Sequence, residues 1–259
     1  MSSSRDTTRD AAPITARGAT PNAGAGVSAS LVAEYRAVQD IGRQVLADLA
    51  PSIRPDDTES SLAQRAVESL RARGITETWY HHCPALVLLG ARSTLSLSGR
   101  DYEPAREPVG QTNLVTIDLS PKRGAARGDC ARSFYIEDGR VTDTPRDKQL
   151  SRGKAFLESL HAVMPRFVNP ATTFHDLFEW ANTQIASAGF ENIDFLRNVG
   201  HSLATDGEPR RFIEAGNLAK LGEAAFFTFE PHVRALGGRW GFKHENVFFF
   251  DRTGRLEEL

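Results

Sequence analysis

The sequence predicts an α+β domain, and three observations predict it. Two amphipathic helical stretches open the folded part of the chain, and two more lie in its middle. Short apolar or alternating segments, bounded by Gly, Pro and Asp, fall before and after that second pair and read as strands. Helices therefore group in pairs between sets of antiparallel-looking strands, unlike the one-to-one alternation of βαβ units. A chain of 259 residues with 40% hydrophobic and 25% charged side chains suits one large globular domain.

From Met1 to about Ser28 the chain is Ser, Thr, Ala, Gly, Arg and Pro with almost no large apolar side chain. Such a segment cannot offset the entropy of ordering itself, so residues 1–30 are expected to be a disordered tail and 31–259 the folded domain. A transit peptide is the competing reading, opposed by Asp6 and Asp10. The first helix follows from Val38, Ile41, Val45 and Leu49 after a Ser30 cap, and Pro51 ends it. The second runs from Glu59 to Arg73 on the stripe Leu62, Ala66, Val67 and Leu70, with Gly74 as the stop. Strands are expected at Ala85–Leu89, Thr94–Leu97, Asn113–Leu119, Ser133–Glu137, Ala225–Phe229 and Asn246–Phe250. Between them, Leu150, Leu157 and Leu160 mark a helix from Asp147 to Val163, ending before Pro165. Phe174, Leu177, Ala181 and Ile185 mark another from Thr173 to Ala188, where Thr173 and Asp176 form a capping box.

Composition excludes several functions. With 31 Lys and Arg against 33 Asp and Glu the formal charge is −2, without the basic excess that binding a phosphate backbone needs, so no nucleic-acid partner is expected. Apolar runs such as Val247–Phe250 fall far short of the roughly 20 residues that span a bilayer, so no membrane partner is expected either. The two cysteines, Cys83 and Cys130, are too few for a disulfide framework and fit a reducing compartment. The expectation is a cytoplasmic protein. No dinucleotide-binding or P-loop glycine pattern is present.

Chemistry gathers in "NLVTIDLSPKRGAARGDCARSFYIEDG", where Asp118 ends one strand-like run and Asp129 opens the next. Pairing the runs as a hairpin brings both carboxylates to one end of a sheet, where like charges repel unless a cation or shared proton neutralises them. The plain alternative is that each Asp ends its strand in water. Three further segments add to the pattern: "RNVGHSLA" with His201, "FFTFEPHV" with Glu230 and "GFKHENVFFF" with Glu245. Each places a polar residue among strongly apolar neighbours, where a lone charge is costly and a metal ligand is not. Four carboxylates and one imidazole suit two divalent cations of the Mn, Co, Fe or Zn type, and the absence of thiolates argues against a structural zinc site.

The order Asp, Asp, His, Glu, Glu in these contexts resembles the pita-bread metallopeptidases, which include methionine aminopeptidase, Xaa-Pro aminopeptidase, prolidase and the metal-free creatinase. "VTIDLSPKRGAARGDCARSF" resembles the family's two-Asp hairpin, "GHSLA" its ligand-His motif, and "FTFEP" and "FKHEN" its two Glu motifs. The resemblance covers Leu31 to the C-terminus. It implies a curved antiparallel sheet flanked by helix pairs, without the extra N-terminal domain of longer relatives. It also implies that Asp118 holds one metal, His201 and Glu230 the other, and that Asp129 and Glu245 bridge them. Such a centre lowers the pKa of a bridging water and polarises a carbonyl. The implied reaction is hydrolysis of an amide bond near an N-terminus, in a peptide or small amide, by a protein for which a homodimer is an open expectation.

The pattern departs from the family on the substrate side. Where the resemblance expects a His upstream of the first Asp, the window holds Gly99, Arg100 and Asp101, and where it expects a second His after the ligand His stands Glu208. His81 or His82, in "TWYHHCPALVLLG", could fold into the pocket and replace a lost imidazole as catalytic group; otherwise they form a solvated strand-edge pair. His232 and His244 adjoin ligands, and side-chain alternation points them away from the metal. Alternatively Glu208, Asp101, Arg210 and Arg211 make a charged pocket for a small amino-acid-like substrate, the arginines clamping its carboxylate, unless they form a solvated loop. A third reading is a binding module of the same fold without turnover. Lys243 lies where Xaa-Pro aminopeptidase and prolidase relatives often carry Arg, and a cation there would steady a ligand carboxylate. Cys130 is expected in the core, and Trp79, Tyr80, Trp240 and Phe242 either line a pocket or pack.

Overall fold

The structure, a computed structural model, describes residues 27–203 and 209–259. Glu208 and most of the expected tail thus lie outside the described residues. In chain order the elements are α1 Ala29–Leu49, α2 Glu59–Ala72, β1 Glu77–Thr78, β2 Ala85–Leu89, β3 Asn113–Leu119, β4 Pro121–Arg123, β5 Ala126–Arg127, β6 Cys130–Glu137 and β7 Arg140–Val141. Then come α3 Lys148–Phe167, α4 Phe174–Ser187, β8 Phe190–Asn192, β9 Phe227–Phe229, β10 His232–Ala235, β11 Gly241–Lys243, β12 Asn246–Phe250 and β13 Leu256–Glu258. All strand pairing is antiparallel, in the orders β2-β3-β6-β7, β1-β4-β5, β11-β10-β8 and β13-β12-β9. The architecture is the expected α+β one.

Alternation along the strands builds two cores. Val115, Ile117 and Leu119 of β3, Phe226, and Val247 and Phe249 of β12 join Tyr35, Val38, Leu62 and Ala66 from α1 and α2. Their alternates Leu114, Phe227, Phe229, Phe248 and Phe250 join Leu157, Leu160, Leu177 and Ala181 from α3 and α4. Each helix pair thus covers one face of the sheet system, as period-2 and period-3.6 patterns require. On β3 the same alternation turns Asp118 away from the first core.

Several boundaries differ from the sequence reading. Ser28, not Ser30, caps α1, its hydroxyl accepting the Leu31 N–H at 3.3 Å, so the folded part starts earlier than residue 31. Pro165 lies inside α3, in its last turn, where a missing N–H costs one hydrogen bond and the helix still runs to Phe167. Thr94–Leu97 is not a strand. Gly90, at φ 58°, turns the chain into a short 3-10 segment, and Ser93 is pinned there by the Gly241 N–H and the His232 ring. The capping box of Thr173 and Asp176 forms as expected.

Two registers position the site. In β3–β6, Asp118 stands opposite Ala131 and Leu119 opposite Cys130, so Asp129 falls on the same face as Asp118, one step beyond the start of β6. In β9–β12, Phe229 pairs with Asn246, and in β10–β11, His232 pairs with Lys243. Both ladders keep one register, and Glu230 and Glu245 stand opposite each other in the gap between them. There the backbone reaches other segments: the Glu230 N–H donates to the Val199 carbonyl at 2.9 Å and the Glu245 N–H to the Ala131 carbonyl at 3.0 Å. The opening in the ladder is what joins the two-Asp hairpin, the His segment and the two Glu segments.

Candidate metal centre

His201 enters this junction behind Gly200, whose φ is 147° and where a Cβ would lie 2.2 Å from the Thr228 carbonyl oxygen. Only glycine lets the His segment run so close to β9. The His201 N–H donates to the Thr228 hydroxyl at 3.0 Å, and its ring meets Trp79 edge-on at a centroid distance of 5.6 Å. Among the described residues, one group of three places a donor atom of each within 4.8 Å of the others: Asp129, His201 and Glu245, all buried. Asp118 and Glu230 adjoin them. His201 Nε2 lies 3.5 Å from Asp129 Oδ2 and 3.4 Å from Glu230 Oε1.

The electrostatics are those of an acidic cluster held partly by fixed cations. Burial, then the charges of Asp118 and Glu230, pushes the Asp129 carboxyl well above its usual range. Burial, Asp129 and Glu230 do the same to Glu245. Burial would also raise Glu230, but the Lys243 charge and bonds from Lys243 and the Thr228 hydroxyl outweigh it and hold that carboxyl low. Burial would lower Lys243, yet Asp118, Glu230 and Glu245 keep it a cation. Its Nζ donates to Asp118 Oδ2 at 2.6 Å and lies 3.1 Å from Glu230 Oε2. Lys243 therefore contacts two carboxylates of the cluster.

The donor set fits a divalent ion. His201 Nδ1 is 3.0 Å from the Ser202 carbonyl, which can only accept, so Nδ1 carries the proton and Nε2 presents its lone pair to the carboxylates. Burial, then the Arg210 charge, lowers the His201 pKa and keeps the ring neutral. Asp129 Oδ2 and both carboxylate oxygens of Glu245 are buried with no hydrogen-bond partner. Lone pairs converging without a donor between them are costly unless a cation fills the gap. Thiolate does not compete: Cys130 is fully buried in the first core, and burial pushes the Cys83 thiol up to about 11.

A cavity of about 480 Å³ opens onto the cluster, lined by Asp118, Asp129, His201, Glu230 and Lys243. Of the substrate-side candidates, His81, Asp101 and Arg210 also line it. His81 is exposed, leans on the Tyr80 ring at 4.7 Å, and has φ 45° followed by 59° at His82, two successive left-handed non-glycine residues. His82 is exposed and not among the lining residues. Asp101 is exposed at the mouth. Arg210 lies about equally over Trp79, Tyr80 and Phe212, each ring centroid 5.4 Å from Cζ. Arg211 leaves the cavity and pairs with Glu223 at 3.4 Å. Their shared segment is extended, its Arg211 backbone bonded to Ser202, and neighbouring side chains on such a segment point to opposite sides. His232 is committed to the Ser93 carbonyl at 2.7 Å, and His244 packs on His161 at 4.2 Å. Trp79 and Tyr80 line the cavity, whereas Trp240 and Phe242 belong to the second core.

Gln39 and Asp194 join the site without having been singled out for it, and Trp79 adds a backbone bond to its place on the cavity wall. Gln39 of α1 bonds the Asp129 backbone, Trp79 Nε1 donates to the Gly128 carbonyl at 2.8 Å beside it, and Asp194 lines the cavity near Glu230 and Lys243. Gln39 carries a signal, since an amide within the stripe Tyr35, Val38, Gly42 and Val45 must find a buried partner. Asp194, in "NIDF", carries none.

Comparisons with solved structures agree with this fold. An X-Pro aminopeptidase from Thermotoga maritima MSB8 superposes with a TM-score of 0.73 at 18% identity, covering 90% of this chain and 61% of that one. A prolidase from Thermococcus sibiricus gives 0.74 at 15%, covering 90% and 59%, and a prolidase from Pyrococcus horikoshii OT3 gives 0.73 at 16%, covering 91% and 63%. The chain thus spans less than two thirds of each of these structures. Comparison with curated proteins by sequence gives no match. The model of metallopeptidase family M24 matches residues 33–251. With that match running over most of its length and the pita-bread fold around the converging carboxylates and imidazole, the chain belongs to metallopeptidase family M24.

Proposed function

We propose that the chain is a divalent-metal hydrolase that opens an amide bond close to the N-terminus of a small, carboxylate-bearing substrate of dipeptide size. The observation that carries this reading is the convergence of unpartnered acceptors, Asp129 Oδ2, both Glu245 oxygens and His201 Nε2, beneath an open cavity. A bound ion of the Mn, Co, Fe or Zn type would there polarise a carbonyl and supply a nucleophilic water at neutral pH.

The chain's own groups divide the remaining work. Arg210, set among three rings, offers a guanidinium to the substrate carboxylate while Trp79, Tyr80 and Phe212 exclude water around it. Asp194 has its carboxyl raised to about 7 by burial and by Glu230, so it can take or give a proton on the cavity wall near neutral pH. His81 stands at the mouth, its pKa lowered by slight desolvation and by Arg100 and Arg210, and can accept a hydrogen bond from the substrate. A cavity of about 480 Å³ with a fixed cation favours a small amino-acid-like substrate over a long peptide. The test is turnover of a library of dipeptides and small amides by protein loaded with Mn2+ or Co2+, against Asp129→Ala. Metal-dependent hydrolysis that the substitution abolishes is expected. Activity that survives Asp129→Ala, or a library left untouched by fully loaded protein, overturns the reading.

A further inference from the structure

We infer that Arg132 of β6 is a positioning residue that aims Glu245: its guanidinium fork stands where a strand partner is missing and fixes the backbone of Glu245 and Asn246, so that the Glu245 carboxylate turns into the cluster. The inference rests on the metal-hydrolase reading above and names what builds that site. Its basis is a contrast between the carboxylates. Lys243 Nζ holds Asp118 Oδ2 at 2.6 Å and Glu230 Oε2 at 3.1 Å, and the Thr228 hydroxyl donates to Glu230 Oε1 at 3.1 Å. Neither carboxylate oxygen of Glu245 has a hydrogen-bond partner. Its aim therefore comes from its backbone and the packing around it.

That backbone lies in the gap between two ladders, past the Phe229–Asn246 pair of one and the His232–Lys243 pair of the other. Residues of β6 supply what a partner strand would. The Glu245 N–H donates to the Ala131 carbonyl at 3.0 Å, and the Glu245 carbonyl accepts from Arg132 Nη1 at 2.6 Å. Nη1 also donates to the Ala131 carbonyl at 2.8 Å, which closes a ring around both backbone groups of Glu245. Nη2 donates to Asn246 Oδ1 at 2.6 Å. One planar fork thus grips two successive residues, which the single ammonium of a lysine cannot do in one fixed geometry. Each of these bonds goes to a neutral oxygen, so ion pairing with a carboxylate is not what holds the side chain there. The same segment carries Asp129, two residues before Ala131. Arg132 accordingly sets Glu245 against Asp129, and these are two of the three groups whose donor atoms lie within 4.8 Å of one another.

The experiment titrates chelator-stripped full-length protein with Mn2+ by calorimetry, with no substrate present, and records urea unfolding and the electron paramagnetic resonance spectrum of the bound ion. Arg132→Met should bind Mn2+ at least tenfold more weakly than the parent and change the spectrum. Leu157→Ala, which opens a cavity in the second core far from the cluster in sequence, lowers stability without touching the fork and should bind as the parent does. Arg132→Lys keeps the cation and loses the fork, so its affinity should fall as well, and it carries the test if Arg132→Met does not fold. Parent affinity in either folded Arg132 variant overturns this inference and leaves the hydrolase reading standing. An equal loss in Leu157→Ala also overturns it, because the loss would then follow stability and not the aim of Glu245. No Mn2+ binding by the unsubstituted protein overturns the hydrolase reading itself.

Discussion

Gln39 holds the backbone of Asp129 with both ends of its amide: its Oε1 accepts the Asp129 N–H at 2.7 Å and its Nε2 donates to the Asp129 carbonyl at 2.8 Å. Gln39 is fully buried on α1, far in sequence from the hairpin it grips. The pair converts the packing of a helix into the position of one of the cluster's carboxylates, because α1 cannot shift along the sheet without dragging Asp129.

This pairing makes Gln39→Glu informative. A carboxylate can still accept from the Asp129 N–H, but its other oxygen would face the Asp129 carbonyl with no proton between them. Leaving a buried acceptor unsatisfied costs about 1–3 kcal/mol. Urea unfolding should show a lower midpoint with an unchanged slope, and Mn2+ affinity should fall with it.

How much of this could be read beforehand depends on the residue. Asp118, Asp129, His201, Glu230 and Glu245 were legible because a charge among apolar strand residues needs a reason, and all five reach one junction. The strands Ala85–Leu89, Asn113–Leu119 and Asn246–Phe250 were legible to the residue, since each is a short apolar or alternating segment bounded by polar or turn residues. Thr94–Leu97 was not, because the bonds that hold Ser93 come from Gly241 and His232, whose proximity depends on tertiary structure. The division of Arg210 from Arg211, and of His81 from His82, was equally hidden. Adjacent residues of one type are indistinguishable until the backbone direction is known.

Asp194 predicts a pH dependence of stability in metal-free protein. Burial, with Glu230 nearby, raises its carboxyl to about 7 in the folded chain from an ordinary value of 3.8, against the opposing pull of Lys243 and a bond from Ser96 at 3.3 Å. Between those values the folded state binds more protons than the unfolded one, so this group's contribution to stability falls as pH rises from 4 to 7 and is flat above. Asp194→Asn removes that component. The variant should gain on the parent between pH 5 and pH 8, by on the order of 2–3 kcal/mol. Equal gaps in urea unfolding at the two pH values, measured in chelator, would contradict the assignment.

Gly200→Ala tests how the imidazole is aimed. The added methyl meets the Thr228 carbonyl oxygen and the end of Ile213, and the backbone conformation itself disfavours an L side chain. The carbonyl belongs to the backbone of β9, so relief requires moving the His segment off the sheet. A loss of about 2–4 kcal/mol in stability is expected, and any protein that remains folded should bind Mn2+ at least tenfold more weakly. Ala at this position with unchanged metal affinity would mean that His201 is not held by the close approach.

Arg210 supplies the sharpest division between substrate classes. Its guanidinium has three aromatic neighbours and no carboxylate partner among the described residues, so it is available to a ligand. Arg210→Met keeps much of the side-chain volume and removes the charge. A lost charge-assisted bond to a carboxylate costs about 1.5–3 kcal/mol, which is roughly a 10- to 150-fold loss in kcat/KM. That loss should appear for substrates with a free carboxylate and vanish for the same substrates capped as amides. Because Arg210 also bears on the charges of Asp129 and His201, Mn2+ affinity must be measured in parallel. If the variant loses activity equally on capped and free substrates while binding the ion normally, the guanidinium acts on the reaction centre and not on the substrate carboxylate.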